Sequence, residues 1–333
     1  MTPAGRLRNS RATTALPSPI RHARCGFMKL APALLSALIL VTACGRQDPP
    51  APKPDPKGPS LRHEMLVEAH VLPEIQKGRD LLLLHVSKTR DTYDTEHLPG
   101  ARYLAWDRIT TSRDGADNEV PDDEALTALA RELGITPDTS ILLYDDGTGI
   151  FACRAYLTFT VMGLDSQTSV LNGQLAGWKA IGMPVTAEVP PARTTSSIDL
   201  SVNREPILPF DGIEGFQRSG GVFLDARPEV NYTGAEPGKG ITRGGHIPGA
   251  RCLTWDSFIL SAENPVFRSQ QELRDQLEDL AADTKLATYC RTGGQASLTW
   301  FVLRYLGHDV RLYDGSWQEW SAKPDTPVET PDP

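Results

Sequence analysis

The stretch His97-Leu98-Pro99-Gly100-Ala101-Arg102-Tyr103-Leu104-Ala105-Trp106-Asp107 returns as His246-Ile247-Pro248-Gly249-Ala250-Arg251-Cys252-Leu253-Thr254-Trp255-Asp256, eight of eleven positions being identical at an offset of 149. The flanks repeat too. An apolar run precedes each block, Leu81 to Val86 and Val222 to Ala226, and reads as a buried strand. A second run follows each, Ile141 to Tyr144 and Leu286 to Tyr289, and enters a Gly-containing turn. Apolar-periodic helices come next, Phe151 to Met162 and Gln295 to Leu306, and each copy closes on Gly173…Trp178 or Gly315…Trp320. Strands alternating with helices predict an α/β fold in two tandem units, each a mainly parallel sheet flanked by helices. A period this long is a domain duplication, not a solenoid. Pro190-Pro191 and a Thr/Ser run between Val189 and Ser201 break the pattern and mark the linker.

The chain has 333 residues, 40% apolar and 23% charged, a foldable mixture that excludes wholesale disorder, a collagen or a coiled-coil rod. Its formal charge is −8, unevenly spread: residues 1–43 hold six basic groups and no acid, so the remainder carries −14. So acidic a body is a poor partner for nucleic acid, whose affinity comes from Lys and Arg on phosphates.

Leu30 to Ala43 is a 14-residue apolar stretch, short of the roughly 20 residues of a bilayer span and suited to a signal-peptide core. It ends Val41-Thr42-Ala43-Cys44-Gly45, which resembles the lipobox of bacterial lipoproteins. That resemblance implies lipidation of Cys44 and an exported protein anchored to the bacterial membrane, facing the periplasm or the exterior. Met28-Lys29 would open a compact signal of this kind, so translation is expected to begin at Met28. The Pro-rich run Pro49 to Pro56 reads as an extended tether.

Cys25 and Cys44 belong to the leader, which leaves Cys153, Cys252 and Cys290 in the body, an odd number and no disulfide framework. Cys290 ends the second strand of the second unit, in Thr288-Tyr289-Cys290-Arg291-Thr292-Gly293-Gly294-Gln295. Ligands of open α/β sheets bind at such strand ends. Successive loop N–H groups and a helix N-terminus favour a thiolate there, and the thiolate is the nucleophile. Arg291 adds positive charge, and Gly293 and Gly294 let the backbone close on an anion. No Cys/His cluster has zinc spacing and no phosphate loop follows a strand, so neither metal nor cofactor is expected.

The duplicated block and this loop together resemble the tandem-domain rhodaneses, the thiosulfate and mercaptopyruvate sulfurtransferase family, over roughly residues 61–325. With the leader and tether read above, the resemblance divides the chain into a signal peptide (1–43), a tether (44–60), an inactive rhodanese-like domain (61–188), a linker (189–203), a catalytic rhodanese-like domain (204–325) and a disordered tail (326–333). It makes Cys290 to Gln295 the active-site loop. Cys290 then takes sulfane sulfur from a small anionic donor as a persulfide, the N–H groups of Arg291, Thr292, Gly293, Gly294 and Gln295 stabilise it, and a thiol or cyanide accepts the sulfur.

Aligning Tyr144 with Tyr289 sets Asp145 opposite Cys290, so the first unit cannot form a persulfide. Cys153 falls on the following helix and reads as core. Cys252 is expected to be buried, with a protective disulfide to Cys290 as the alternative. Asp225 and Arg227 resemble the family's Asp-x-Arg signature. The expectation is that the carboxylate ties loop N–H groups and the guanidinium braces a neighbouring segment. His246 has a twin, His97, in the inactive unit, so its role is structural.

Mercaptopyruvate enzymes of the family clamp a carboxylate with two arginines. The matching positions here are Asn231 and at best Lys239, the latter kept as a substrate contact. Thiosulfate is therefore the expected donor, with mercaptopyruvate as the alternative. A phosphatase or arsenate reductase on this scaffold needs Arg six residues beyond the Cys, where Ala296 stands. A carrier that holds a persulfide without turnover would use the same Cys290.

Overall fold

Leu82-Leu83-Leu84 and Ile141-Leu142-Leu143 are apolar without alternation because helices cover both faces of their sheet, so that every one of these side chains is buried. The computed structural model describes residues 62–330, so the leader, Met28, Cys44 and the Pro-rich tether lie outside the described residues. The strands are β1 (Leu66–Val67), β2 (Leu81–Ser87), β3 (Arg102–Ala105), β4 (Thr111–Arg113), β5 (Ala116–Glu119), β6 (Ser140–Asp145) and β7 (Thr168–Leu171) in the first repeat. The second contributes β8 (Val222–Asp225), β9 (Arg251–Cys252), β10 (Leu286–Tyr289) and β11 (Val310–Leu312).

The first sheet runs β1-β7-β6-β2-β3 and the second β11-β10-β8-β9, with every pairing parallel. The two orders are the same once β1 is set aside. Its counterpart is a single parallel bridge, Ile207 to Leu312. β4 and β5 form a separate antiparallel hairpin.

The repeated block has a shared job. Leu98 N donates to Tyr144 Oη and Ile247 N to Tyr289 Oη, each at 3.1 Å, tying the block to the second strand of its own unit. His97 stacks on Tyr93 with centroids 4.0 Å apart, and His246 on Tyr232 at 3.7 Å. Their main chains pair with Thr186 and Glu329. The tail expected to be disordered from residue 326 is therefore ordered as far as Thr330. His246 N donates to Glu329 O at 2.9 Å, Arg243 donates to Thr326 O, and Thr326 is buried. Residues 331–333 lie outside the described residues.

Helices Ile150–Val161 and Gly294–Tyr305 are apolar on nearly every side because they lie between the two sheets and pack on each other. Tyr156 meets Phe301 edge-on at 5.0 Å. One hydrophobic core thus runs from Leu82 and Leu143 through both helices to Leu286 and Val310. Reciprocal bonds fasten the repeats: Val120 N donates to Asp314 Oδ2 at 2.6 Å, and Phe267 N to Asn172 Oδ1 at 2.9 Å. The segment from 189 to 203 carries no helix or strand and lies along the first repeat. Asn203 N donates to Val161 O at 2.8 Å, and Thr194 O comes so close to Gly134 that a Cβ there would stand 2.5 Å away. No helix among the described residues is long and apolar enough to cross a membrane.

Candidate active site

β10 ends at Tyr289, and the chain turns at once into helix Gly294–Tyr305, capped by Gly293 at φ 81°. Few residues other than Gly tolerate that angle. The turn folds around Cys290, whose side chain is 2% exposed. Its N–H donates to Ser316 Oγ at 3.3 Å and its carbonyl accepts from Trp317 N at 2.9 Å. Ser316 holds a left-handed φ of 54°, as does its counterpart Gln174. Strain at paired positions of both repeats marks a place where the loop geometry outweighs local preference.

Burial pushes the Cys290 thiol above its ordinary value, while the N–H groups of Ala296, Thr292 and Gly293 pull it down and Asp225 pushes it up. Here the structure corrects the sequence reading: the loop amides do favour the thiolate, but desolvation outweighs them. Arg291 lines the cavity and brings its charge there from the surface. It is exposed, and its Nη1 donates to Lys239 O at 3.2 Å. The buried cation beside the thiol is Arg227. Burial disfavours its charge, but Asp225 and, further out, Cys290 hold it above its ordinary range.

Asp225 accepts the N–H of Arg227 at 3.0 Å and its guanidinium on both oxygens. Its partner is therefore its own signature arginine, and it accepts no N–H of the Cys290 loop among the described bonds. Arg227 Nη2 also donates to Gly245 O at 2.7 Å, bracing the segment that leads into the His246 block. His246 Nδ1 lies 2.9 Å from Tyr232 O, an internal bond of the fold.

Above Cys290 opens a cavity of about 350 Å³. The second repeat lines it with Arg227, Asn231, Gly238, Arg291, Thr292 and Gln295 among others. Lys239 is exposed and offers its carbonyl to Arg291, and it is not among the lining residues. Lys88, Trp106, Asn118, Ile150 and Phe151 line it from the first repeat, a contribution that the sequence reading missed. Asn118 Nδ2 donates to Thr292 Oγ1 at 2.9 Å, and Trp106 Nε1 donates to Asn118 Oδ1 at 2.8 Å. Only the repeated Trp-Asp hinted that Trp106 mattered. Asn118 and Lys88 carried no local signal. No cluster of three or more His, Cys, Asp or Glu side chains suited to a metal ion occurs among the described residues.

The first repeat fills its own equivalent of this cradle. Asp145 follows the same strand position, and its N–H donates to Gln174 Oε1 at 2.9 Å as that of Cys290 does to Ser316. Its carboxylate then accepts four loop N–H groups. Gly147 and Gly149 donate to Oδ1, Phe151 and Ala152 to Oδ2, at 2.9–3.2 Å. Burial drives this carboxyl upward against those four bonds. Asp146 lies beside it, 3.8 Å from His85 Nε2. Neither of the other two thiols lines the cavity over Cys290. Cys153 is buried, and Cys252, expected to be buried, is exposed on the edge strand β9, with burial of its sulfur and the Asp225 charge still raising it to about 11. Both, like Cys290, are free thiols.

Comparison with known proteins matches these two units to one family model. The Rhodanese-like domain fits residues 69–181 and again 213–323. The Sulfur carrier protein TtuD of Thermus thermophilus is 32% identical over 289 residues, covering 80% of this chain and 96% of that protein. A thiosulfate sulfurtransferase of Azotobacter vinelandii is 33% identical over 271 residues, covering 80% and 97%. The crystal structure of YnjE superposes with a TM-score of 0.72 at 23% identity, over 82% of this chain and 70% of that one, a likeness of fold. The chain belongs to the rhodanese family of sulfurtransferases, as a tandem of two Rhodanese-like domains.

Proposed function

We propose that this protein moves sulfane sulfur from thiosulfate to a thiol or cyanide acceptor through a persulfide on Cys290. The observation that carries the reading is the charge of the cavity. A buried free thiol lies at its floor among loop N–H groups, and its lining holds three cations (Lys88, Arg227, Arg291) and no carboxylate. Within an acidic body, such a cavity attracts a small anion. The Cys290 thiolate attacks the outer sulfur of thiosulfate. A new S–S bond forms, the donor's S–S bond breaks, and sulfite leaves with the electron pair. The acceptor then attacks the outer sulfur of the persulfide and returns the thiolate. Asn231 lines the cavity at the first of the two clamp positions and Lys239, at the second, does not line it, so no paired-arginine clamp for a carboxylate is present there, which favours thiosulfate over mercaptopyruvate.

A second reading has specific support: the relative from Thermus thermophilus is named a sulfur carrier protein. Here Cys290 would hold the persulfide for one transfer to a partner. Two measurements test the pair. Intact and peptide mass after thiosulfate treatment should show one added sulfur, on Cys290. Steady thiocyanate production from thiosulfate and cyanide then identifies an enzyme, whereas one stoichiometric transfer identifies a carrier. Absence of the added sulfur would sink both.

The anchor is part of the same proposal. The Val41-Thr42-Ala43-Cys44 box supports lipidation of Cys44 and attachment to a bacterial membrane, outside the cytoplasm. Wild-type protein should fractionate with membranes and Cys44→Ala should remain an unprocessed, lipid-free precursor. Recovery of the wild type in the soluble periplasmic fraction would refute it.

A further inference from the structure

Lys88 follows β2 in the repeat that has no nucleophile, yet it lines the cavity over Cys290. Its ammonium lies 5.4 Å from the Trp106 ring centroid and 5.7 Å from that of Phe151. Among the described residues no carboxylate pairs with it. The two rings direct the cation without neutralising it. Trp106 is itself fixed to the catalytic loop. Trp106 donates to Asn118, Asn118 donates to Thr292, and the Trp106 ring passes 3.9 Å from where a Cβ on Gly294 would stand. Deeper in the same cavity Arg227, 2% exposed, keeps Nη1 without a hydrogen-bond partner. A lysine of the first repeat with no carboxylate partner, and an arginine of the second that pairs with Asp225 but keeps Nη1 unbonded, thus line the cavity that holds the Cys290 sulfur.

We propose that Lys88 binds the oxyanion head of the sulfur donor, so that the repeat lacking the nucleophile sets donor specificity for small sulfane oxyanions. This rests on the reading of Cys290 as the sulfur acceptor. In that transfer the donor arrives as a dianion and sulfite leaves as one, so the head keeps a full charge throughout, and an ammonium at the mouth serves both binding and departure. A thiol acceptor without an anionic group makes no use of Lys88.

The test separates the two half-reactions. Wild type, Lys88→Met and Lys88→Arg are loaded with thiosulfate, or with methanethiosulfonate as a singly charged donor. Preloaded protein is discharged with neutral 2-mercaptoethanol. Lys88→Met keeps an apolar stem over the rings and removes the charge. It should raise KM for thiosulfate roughly tenfold, as expected for loss of one charge-assisted contact. Methanethiosulfonate should suffer less, discharge should be unchanged, and Lys88→Arg should restore most of the loss. Added KCl should lower kcat/KM of the wild type more than that of Lys88→Met. An unchanged KM in Lys88→Met, a discharge slowed in the same proportion, or a wild-type kcat/KM indifferent to KCl overturns the assignment. A wild type that takes no sulfur from thiosulfate refutes the proposed function instead, and is read before any variant.

Discussion

Arg154 Nη1 lies 2.6 Å from Asp314 Oδ1, in a buried ion pair that joins the two repeats. Arg154 belongs to helix Ile150–Val161 of the first, and Asp314 follows β11 of the second. Arg154 also donates to Asn118 O, and Asp314 accepts Val120 N. The Cys290 loop rests on the pair: a Cβ on Gly293 would stand 3.0 Å from both Arg154 Nη1 and Asp314 Oδ1. The first repeat is therefore a structural support of the Cys290 loop.

Arg154→Ala leaves the Asp314 carboxylate buried and unpaired, which costs about 3–5 kcal/mol. Urea unfolding should show that loss. Combining Arg154→Met with Asp314→Leu should recover much of it, because both charges are then gone. A single variant as stable as the wild type would contradict the role given to the pair.

Cys290→Ser keeps the shape but offers a hydroxyl that forms no persulfide, and should abolish sulfur transfer in a folded protein. Cys153→Ala removes a buried sulfur that does not line the cavity and should retain transfer, at about 0.5–3 kcal/mol of stability. Since burial holds the Cys290 thiol above its ordinary value, loading by thiosulfate should rise with pH in proportion to the thiolate, still climbing at the pH where a free thiol is half ionised. Melting curves and sulfur transfer measured side by side check all three. Turnover in Cys290→Ser would place the chemistry elsewhere.

Asp145→Cys should not create a second site. One sulfur replaces two carboxylate oxygens that accept four N–H groups, so donors are left unpaired and the first unit weakens. Asp146 would still oppose an anion there. Mass after thiosulfate treatment should show sulfur on Cys290 alone and a lowered Tm. A second added sulfur would count against this account.

Glu119 ends the hairpin strand β5 and is pushed up to about 7, by burial first and then by Asp314, against Arg113 at 3.4 Å; Glu319 adds to the rise and Arg154 opposes it. A carboxyl raised in the folded state contributes stability that is complete below its unfolded value of about 4.5. That contribution is lost as pH rises through about 7. Stability should therefore fall over this window, and Glu119→Gln should flatten the fall. Unfolding free energies at pH 4.5, 6 and 7.5 for both proteins decide it, and parallel profiles would refute it.

The eleven-residue block and its twin were enough to read two parallel α/β units and to place Cys290 at a strand end. Strand and helix formation follow from local apolar pattern, and a strand-to-helix turn is a short-range event. The predicted strand Leu286 to Tyr289 coincides with β10, and both predicted helices start within one residue of the observed ones. That Asp145 holds the position of Cys290 was equally legible, since it needs only an alignment of Tyr144 with Tyr289. Contacts between residues far apart in sequence were decided by the tertiary structure. Lys88, Trp106 and Asn118 join the cavity because two buried helices pack face to face and bring the repeats together, and nothing local to Lys88 encodes that. Thr326 and Glu329 read as a polar, proline-rich tail, but they order because Arg243 and His246 supply partners for their backbone. Cys252 reads as buried, yet it lies on the sheet edge, where no strand covers it. The thiol itself shows the division most clearly. Its sequence context promises a stabilised anion, and the desolvation that opposes this arises when the whole chain closes over it.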